Sequence, residues 1–140
     1  MNKGKTIGEL RLGESASSTK TIIDADVVAF ADVSGDHNPV HLDEAFAKTT
    51  MFGGRIVHGM LVGSLFSSIL GTQLPGNGSI YLAQELKFVK PVHLNDTITA
   101  TVTVIEIIAD RNRIKLETTA RNQNDELVVT GIATIMPPKA

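Results

Sequence analysis

Three small residues, Gly59, Gly63 and Ser67, recur at every fourth position of an apolar stretch that runs from Gly59 to Leu70. Residues four apart stack on one face of a helix, so the spacing predicts a helix bearing a stripe without bulk. Leu61, Leu65 and Phe66 occupy its larger faces, and no charged residue falls between Gly59 and Leu70. Such a helix is expected to be buried, with another backbone close against its stripe and Gly71 placed to end it. The burial is in protein. A bilayer span needs about 20 apolar residues, and Gly63, Ser64, Ser67 and Ser68 interrupt this run early.

Beyond the turn formers Pro75-Gly76-Asn77-Gly78 the hydrophobic period changes from helix to strand. Ile80–Val89 is the first strand. Thr97–Ile108 alternates, with Ile98, Ala100, Val102 and Val104 on one face and threonines on the other. Arg113–Arg121 sets Ile114, Leu116, Thr118 and Ala120 on one side, and Leu127–Met136 is apolar on both. Short polar turns at 110–112 and 122–125 predict hairpins. The expectation is an α+β fold: an antiparallel meander, strongly curved, wrapped around the small-striped helix. The doubly apolar last strand points to further burial in an oligomer.

The first half supplies the remaining pieces. Residues 1–13 read as a polar lead-in and Gly13–Ile23 as a weak first strand. A helix runs from a cap at Asp24 to Ser34-Gly35, and Asp43 caps a short helix, Glu44–Lys48. With 140 residues, no repeat and no linker, one domain over 1–140 is expected.

Composition narrows the partners. The formal net charge of -2 argues against nucleic acid. The absence of cysteine removes disulfides, thiolate nucleophiles and cysteine-ligated metals, and fits a reducing cytoplasm. The charged N-terminus leads into no apolar stretch, so no secretory leader is expected. The expectation is a cytoplasmic protein that neither enters nor crosses a membrane.

Two titratable residues flank the turn-rich run Ser34-Gly35-Asp36-His37-Asn38-Pro39: Asp36 itself and His41. If the turn brings them together, a carboxylate and an imidazole can share one water and move its protons. The alternative is that Asp36 stabilises its own turn and His41 packs beside a helix start. Gly59 offers an unpaired N–H at the start of the buried helix, a donor suited to an oxyanion, or else a glycine needed for close packing. His58 equally suits a structural bond to loop backbone. Ser67 either bonds a reactive group or is simply small.

The four histidines, 37, 41, 58 and 93, show no metal-ligand spacing on a common helix, so no metal is expected. Neither Gly53-Gly54-Arg55 nor the 74–78 turn matches a nucleotide-binding fingerprint. Arg55, Lys87 and Lys90 suit either phosphates or ordinary solvated surface.

Taken in order, these segments resemble the MaoC-like (R)-specific enoyl-CoA hydratases. Asp36 and His41, inside Ser34–Asp43, match that family's Asp-x-x-x-x-His motif. Ile56-Val57-His58-Gly59-Met60-Leu61 with Ser64-Leu65-Phe66-Ser67 resembles the start of its central helix. Gly78–Leu82, Phe88–Val92 and Val129-Thr130-Gly131 extend the similarity over nearly the whole chain from about residue 14.

The resemblance implies a single hot-dog domain, a homodimer with the sheets joined edge to edge or a higher homo-oligomer of such dimers, and an acyl-CoA substrate. Asp36 and His41 would hold and activate a water, and Gly59 N–H would polarise the thioester carbonyl. Ser67 and Asn38 would support the pair, while Leu70, one turn beyond Ser67, would help close an acyl pocket. No cofactor is implied, because the thioester is itself the electron sink. Three rivals share the framework: a 3-hydroxyacyl dehydratase acting on acyl-carrier protein, a hot-dog thioesterase, and a non-catalytic acyl-CoA-binding module.

Overall fold

Five strands form one antiparallel sheet in the order β1-β3-β4-β5-β2, and one long helix packs on it. The computed structural model describes residues 2–140; Met1, part of the expected lead-in, lies outside them. The strands are β1 (Ser15–Thr21), β2 (Ile80–Phe88), β3 (Thr97–Ile108), β4 (Arg113–Arg121) and β5 (Leu127–Met136). The helices are α1 (Asp24–Ser34), the single turns α2 (Pro39–Leu42) and α3 (Glu44–Ala47), and α4 (Gly59–Thr72).

The period-2 patterns set which face of the sheet is buried. Ile98, Ala100, Val102 and Val104 of β3, with Ile114, Leu116 and Ala120 of β4, are at most 1% exposed and meet Leu61, Val62, Phe66 and Ile69 of α4 in one core. Burying a side chain of this size contributes about 1.5–3 kcal/mol, so this face anchors α4. Thr118 shares the buried face and is satisfied by Gln84, whose Nε2 donates to its Oγ1 at 3.0 Å.

Only part of the sheet is a meander. β3, β4 and β5 follow one another, but β2 crosses to the far edge and pairs with β5, with a bulge between Tyr81 and Ala83. The segment between β2 and β3, residues 89–96, is too long for a tight hairpin and includes Pro91. It crosses over, Val57 N–H donating to Val92 O at 2.7 Å. Gly131 opposes β2 so closely that a β-carbon there would overlap the Glu85 carbonyl oxygen.

The small stripe of α4 meets side chains, not the backbone that its spacing predicts. A β-carbon on Gly59 would lie 2.6 Å from the Phe88 ring, and one on Gly63 would lie 2.9 Å from Leu86 Cδ1. Nor does Gly71 end the helix, which continues to Thr72. Leu74 and Pro75 end it instead: Leu74 turns into the core and donates to Ile69 O at 2.9 Å, and Pro75 cannot extend the ladder.

At the other end of the chain, the lead-in is partly structural. Residues Ile7–Glu9 form a 3₁₀ turn, and Leu10 is buried in the core. Gly4 and Lys5 donate to the carbonyls of Asn77 and Pro75. Asp24 opens α1 without capping it; Asp26 closes the first turn by accepting from Ile23 N at 3.0 Å. Asp24 is thereby left free for Arg55. No helix among the described residues is long and apolar enough to cross a membrane.

Candidate active site

The turn after α1 is built one hydrogen bond at a time. Gly35 adopts φ 79, the left-handed region that favours glycine, and donates to Ala31 O at 2.9 Å. Asp36 N–H then donates to Ser34 Oγ at 3.1 Å, and Asn38 N–H donates to Asp36 Oδ1 at 3.2 Å. Asn38 Oδ1 accepts from Val40 N at 3.2 Å, capping α2 with Pro39 in its first position. One helical turn later the chain presents His41. A segment expected to be irregular therefore contains a deliberate single turn that carries His41 back towards Asp36.

His41 is 8% exposed, and its Nδ1 lies 2.8 Å from the carbonyl of Ile56. A carbonyl only accepts, so Nδ1 carries the proton and the Nε2 lone pair is left to accept another. Arg55 steadies the same residue from its main chain. Its Nε donates to His41 O at 2.6 Å while its guanidinium pairs with Asp24 Oδ1 at 2.7 Å. Both bonds hold Arg55 against α1 and α2. Lys90 pairs with Glu126.

The third member of the cluster is His58, the residue before α4. Its ring stacks on His41, with centroids 3.8 Å apart and planes at 26°, and Phe30 lies on it at 4.8 Å. Its Nε2 donates to the main-chain carbonyl of Asp36 at 3.0 Å. Burial pushes its pKa down, opposed by that hydrogen bond, so the ring is held neutral. Asp36, His41 and His58 each place one polar atom within 4.8 Å of the others. That is a donor set a divalent ion uses, but the stacked rings hold their lone pairs in nearly parallel planes that do not converge on one ion.

Gly59 comes directly after His58, and its N–H makes no hydrogen bond among the described residues, as befits the first position of a helix. Asp36, His41 and Gly59 line one cavity of about 490 Å³, walled by Phe52, Ile56, Val62 and Phe88. A volume of this size suits a small organic group (typical sites span roughly 300–1,000 Å³).

Two other expected residues lie elsewhere. Ser67 lines an open groove of about 730 Å³ between α4 and β2, with Gly63, Tyr81 and Leu86, which adjoins the cavity at Met60 and Phe88, and it makes no side-chain bond to Asp36 or His41. Leu70 is 1% exposed, packs in the core and lines neither space. Asn38 stands beside Asp36, where the motif puts it. The support that Arg55 gives His41 has no sign in the sequence. Its place three residues before His58 carries no periodic signal, and only the fold brings it under α2.

One long helix against a single antiparallel sheet, with His58 and Gly59 at its head facing Asp36 and His41, defines the hot-dog class of acyl-thioester proteins. The model of the MaoC like domain matches residues 6–126, and the chain belongs to that family. It is 49% identical over 129 residues to an (R)-specific enoyl-CoA hydratase of Aeromonas caviae, covering 92% of this chain and 96% of that one. It is 36% identical over 132 residues to a mitochondrial 3-hydroxyacyl-[acyl-carrier-protein] dehydratase of Arabidopsis thaliana, covering 92% and 78%. The unliganded R-hydratase PhaJ1 of Pseudomonas aeruginosa superposes with a TM-score of 0.92 at 45% identity, over 98% of this chain and 88% of that one.

Proposed function

We propose that the chain is an (R)-specific enoyl-CoA hydratase, a hydro-lyase that adds water across the double bond of a trans-2-enoyl-CoA. One observation carries the reading. An acceptor nitrogen on His41, the Asp36 carboxylate and the unpaired Gly59 N–H face one cavity of suitable size.

The chemistry derives from those positions. Gly59 N–H donates to the thioester carbonyl oxygen and stabilises the charge that develops there as the C2–C3 π bond polarises. A water held by Asp36 and His41 gives up a proton to His41 Nε2 as its oxygen bonds C3. A proton returns from the Asp36/His41 pair to C2 on the same face, which restores both side chains and leaves the (R)-3-hydroxyacyl product. His41 enters as the Nδ1–H tautomer, the form that accepts at Nε2. Asn38 supports the pair by fixing the Asp36 carboxylate. The thioester is the electron sink, so the reaction calls for no metal or redox cofactor.

The same site suits 3-hydroxyacyl-[acyl-carrier-protein] dehydration, the reverse reaction on another carrier. The Arabidopsis relative favours keeping that reading second.

The working form we propose is a homodimer. β2 is an edge strand with Ile80, Tyr81, Leu82 and Phe88 exposed on it, beside the open apolar groove that includes Ser67. An unpaired apolar edge invites a second strand, and a second copy of β2 suits it. A cytoplasmic location fits the cysteine-free composition.

Purified protein mixed with crotonyl-CoA, followed by loss of enoyl-thioester absorbance and chiral analysis, tests the assignment. Formation of (R)-3-hydroxybutyryl-CoA is expected. Tight acyl-CoA binding without turnover would point to a binding module or the carrier-protein substrate, and release of free CoA to a thioesterase.

A further inference from the structure

His58 has costly properties for a packing residue. It is 2% exposed, and its Nδ1 has no hydrogen-bond partner among the described residues. A phenylalanine would fill the space between Phe30 and His41 without burying an unpaired polar atom. What phenylalanine lacks is the Nε2–H that reaches the Asp36 carbonyl. The structure thus retains a polar ring where an apolar one would pack, and uses it for a single bond into the catalytic turn.

That bond joins the two halves of the site. The water-holding pair sits on the turn and α2; the oxyanion donor sits on α4. His58 is covalently attached to Gly59, bonded to Asp36 through Nε2 and stacked at 3.8 Å beneath His41. We propose that His58 is a positioning residue that sets the separation between the activated water and the thioester carbonyl, clamping the Asp36 turn to the start of α4 and supporting the His41 ring. The proposal rests on the hydratase reading of the site.

Two variants separate the two contributions. H58F keeps a flat ring under His41 and removes the donor. H58Q keeps an amide N–H for the Asp36 carbonyl and removes the stack. Misplacement of reacting groups lowers kcat more than substrate affinity. The expected order of kcat is therefore wild type, then H58Q, then H58F. H58F should fall by about tenfold or more, with KM for crotonyl-CoA within about twofold of wild type. A residue with only a packing role would instead shift the melting temperature and leave kcat per folded molecule unchanged.

Folded H58F with wild-type kcat would overturn the proposal. If H58F fails to fold, H58Q decides: reduced kcat at unchanged KM supports the role, and wild-type kcat overturns it. Wild-type protein that binds crotonyl-CoA without hydrating it would instead remove the functional reading beneath.

Discussion

The ring of Phe88 lies so close over Gly59 that a β-carbon on the glycine would stand 2.6 Å from two of its carbons. Two independent demands therefore meet at Gly59: a free N–H at the head of α4 and room for a side chain of β2. They are separable. G59A keeps the N–H and forces the ring, which is 54% exposed, to swing aside, at a cost of about 1 kcal/mol or less, at the foot of the range for overpacking. Thermal unfolding should show that loss in G59A and its recovery in G59A/F88L. A double variant no more stable than G59A would show that the glycine is needed for some other reason.

The proposed acid–base pair, Asp36 and His41, gives the sharpest kinetic expectation. D36N and H41Q should each lower kcat by about two orders of magnitude or more, since general acid–base steps contribute roughly 10²–10⁴. Circular dichroism should match wild type in both. Near-normal turnover by either folded variant would remove that residue from the mechanism.

Arg55 holds His41 by its carbonyl and Asp24 by an ion pair, and the two bonds differ in worth. Asp24 is largely exposed, its side chain at 63%, so D24N should cost no more than about 0.5 kcal/mol. The buried bond to His41 O matters more. R55L should lose about 1–3 kcal/mol, as expected when a buried carbonyl is left unpaired, with reduced kcat. Chemical denaturation and steady-state kinetics on both variants check the ranking.

His58 predicts a pH dependence of stability. Burial, the largest influence, holds its pKa below the ordinary 6.5, with the Asp36 hydrogen bond opposing and His41 adding to the effect. Between the lowered folded value and 6.5, the unfolded chain binds a proton that the folded chain does not. Stability from this group is therefore complete above pH 6.5 and declines as pH falls below it, by at most about 1.4 kcal/mol per pH unit. Melting curves from pH 7.5 to 5 should show a shallower acid loss for H58Q than for wild type. Equal slopes would show that other groups govern the acid limb.

Much of the sheet is legible in the sequence because its pattern is local. β3 and β4 begin and end where their alternation predicts, since one face of each is buried and a single-residue slip would expose it, and β5 spans its apolar run. The place of β2 is not legible. Its exposure on both faces gives no period, and pairing with β5 depends on a crossover that no neighbouring residue encodes. Asp36, His41 and Gly59 can be named from motif and spacing, and the fold brings them to one cavity. Arg55 and the clamp at His58 cannot be ranked in advance, because their partners lie 14 and 22 residues away along the chain. Only the closure of the turn onto α4 makes them neighbours.

The sharing of one peptide bond between His58 and Gly59 bears on how the protein tolerates its own thermal motion. A shift of α4 carries the Gly59 N–H and the His58 tether of the Asp36 turn by the same vector, so on the proposed mechanism their separation is insulated from movement of the helix over the sheet. Accuracy at the reacting atoms is in this way uncoupled from stiffness of the fold as a whole.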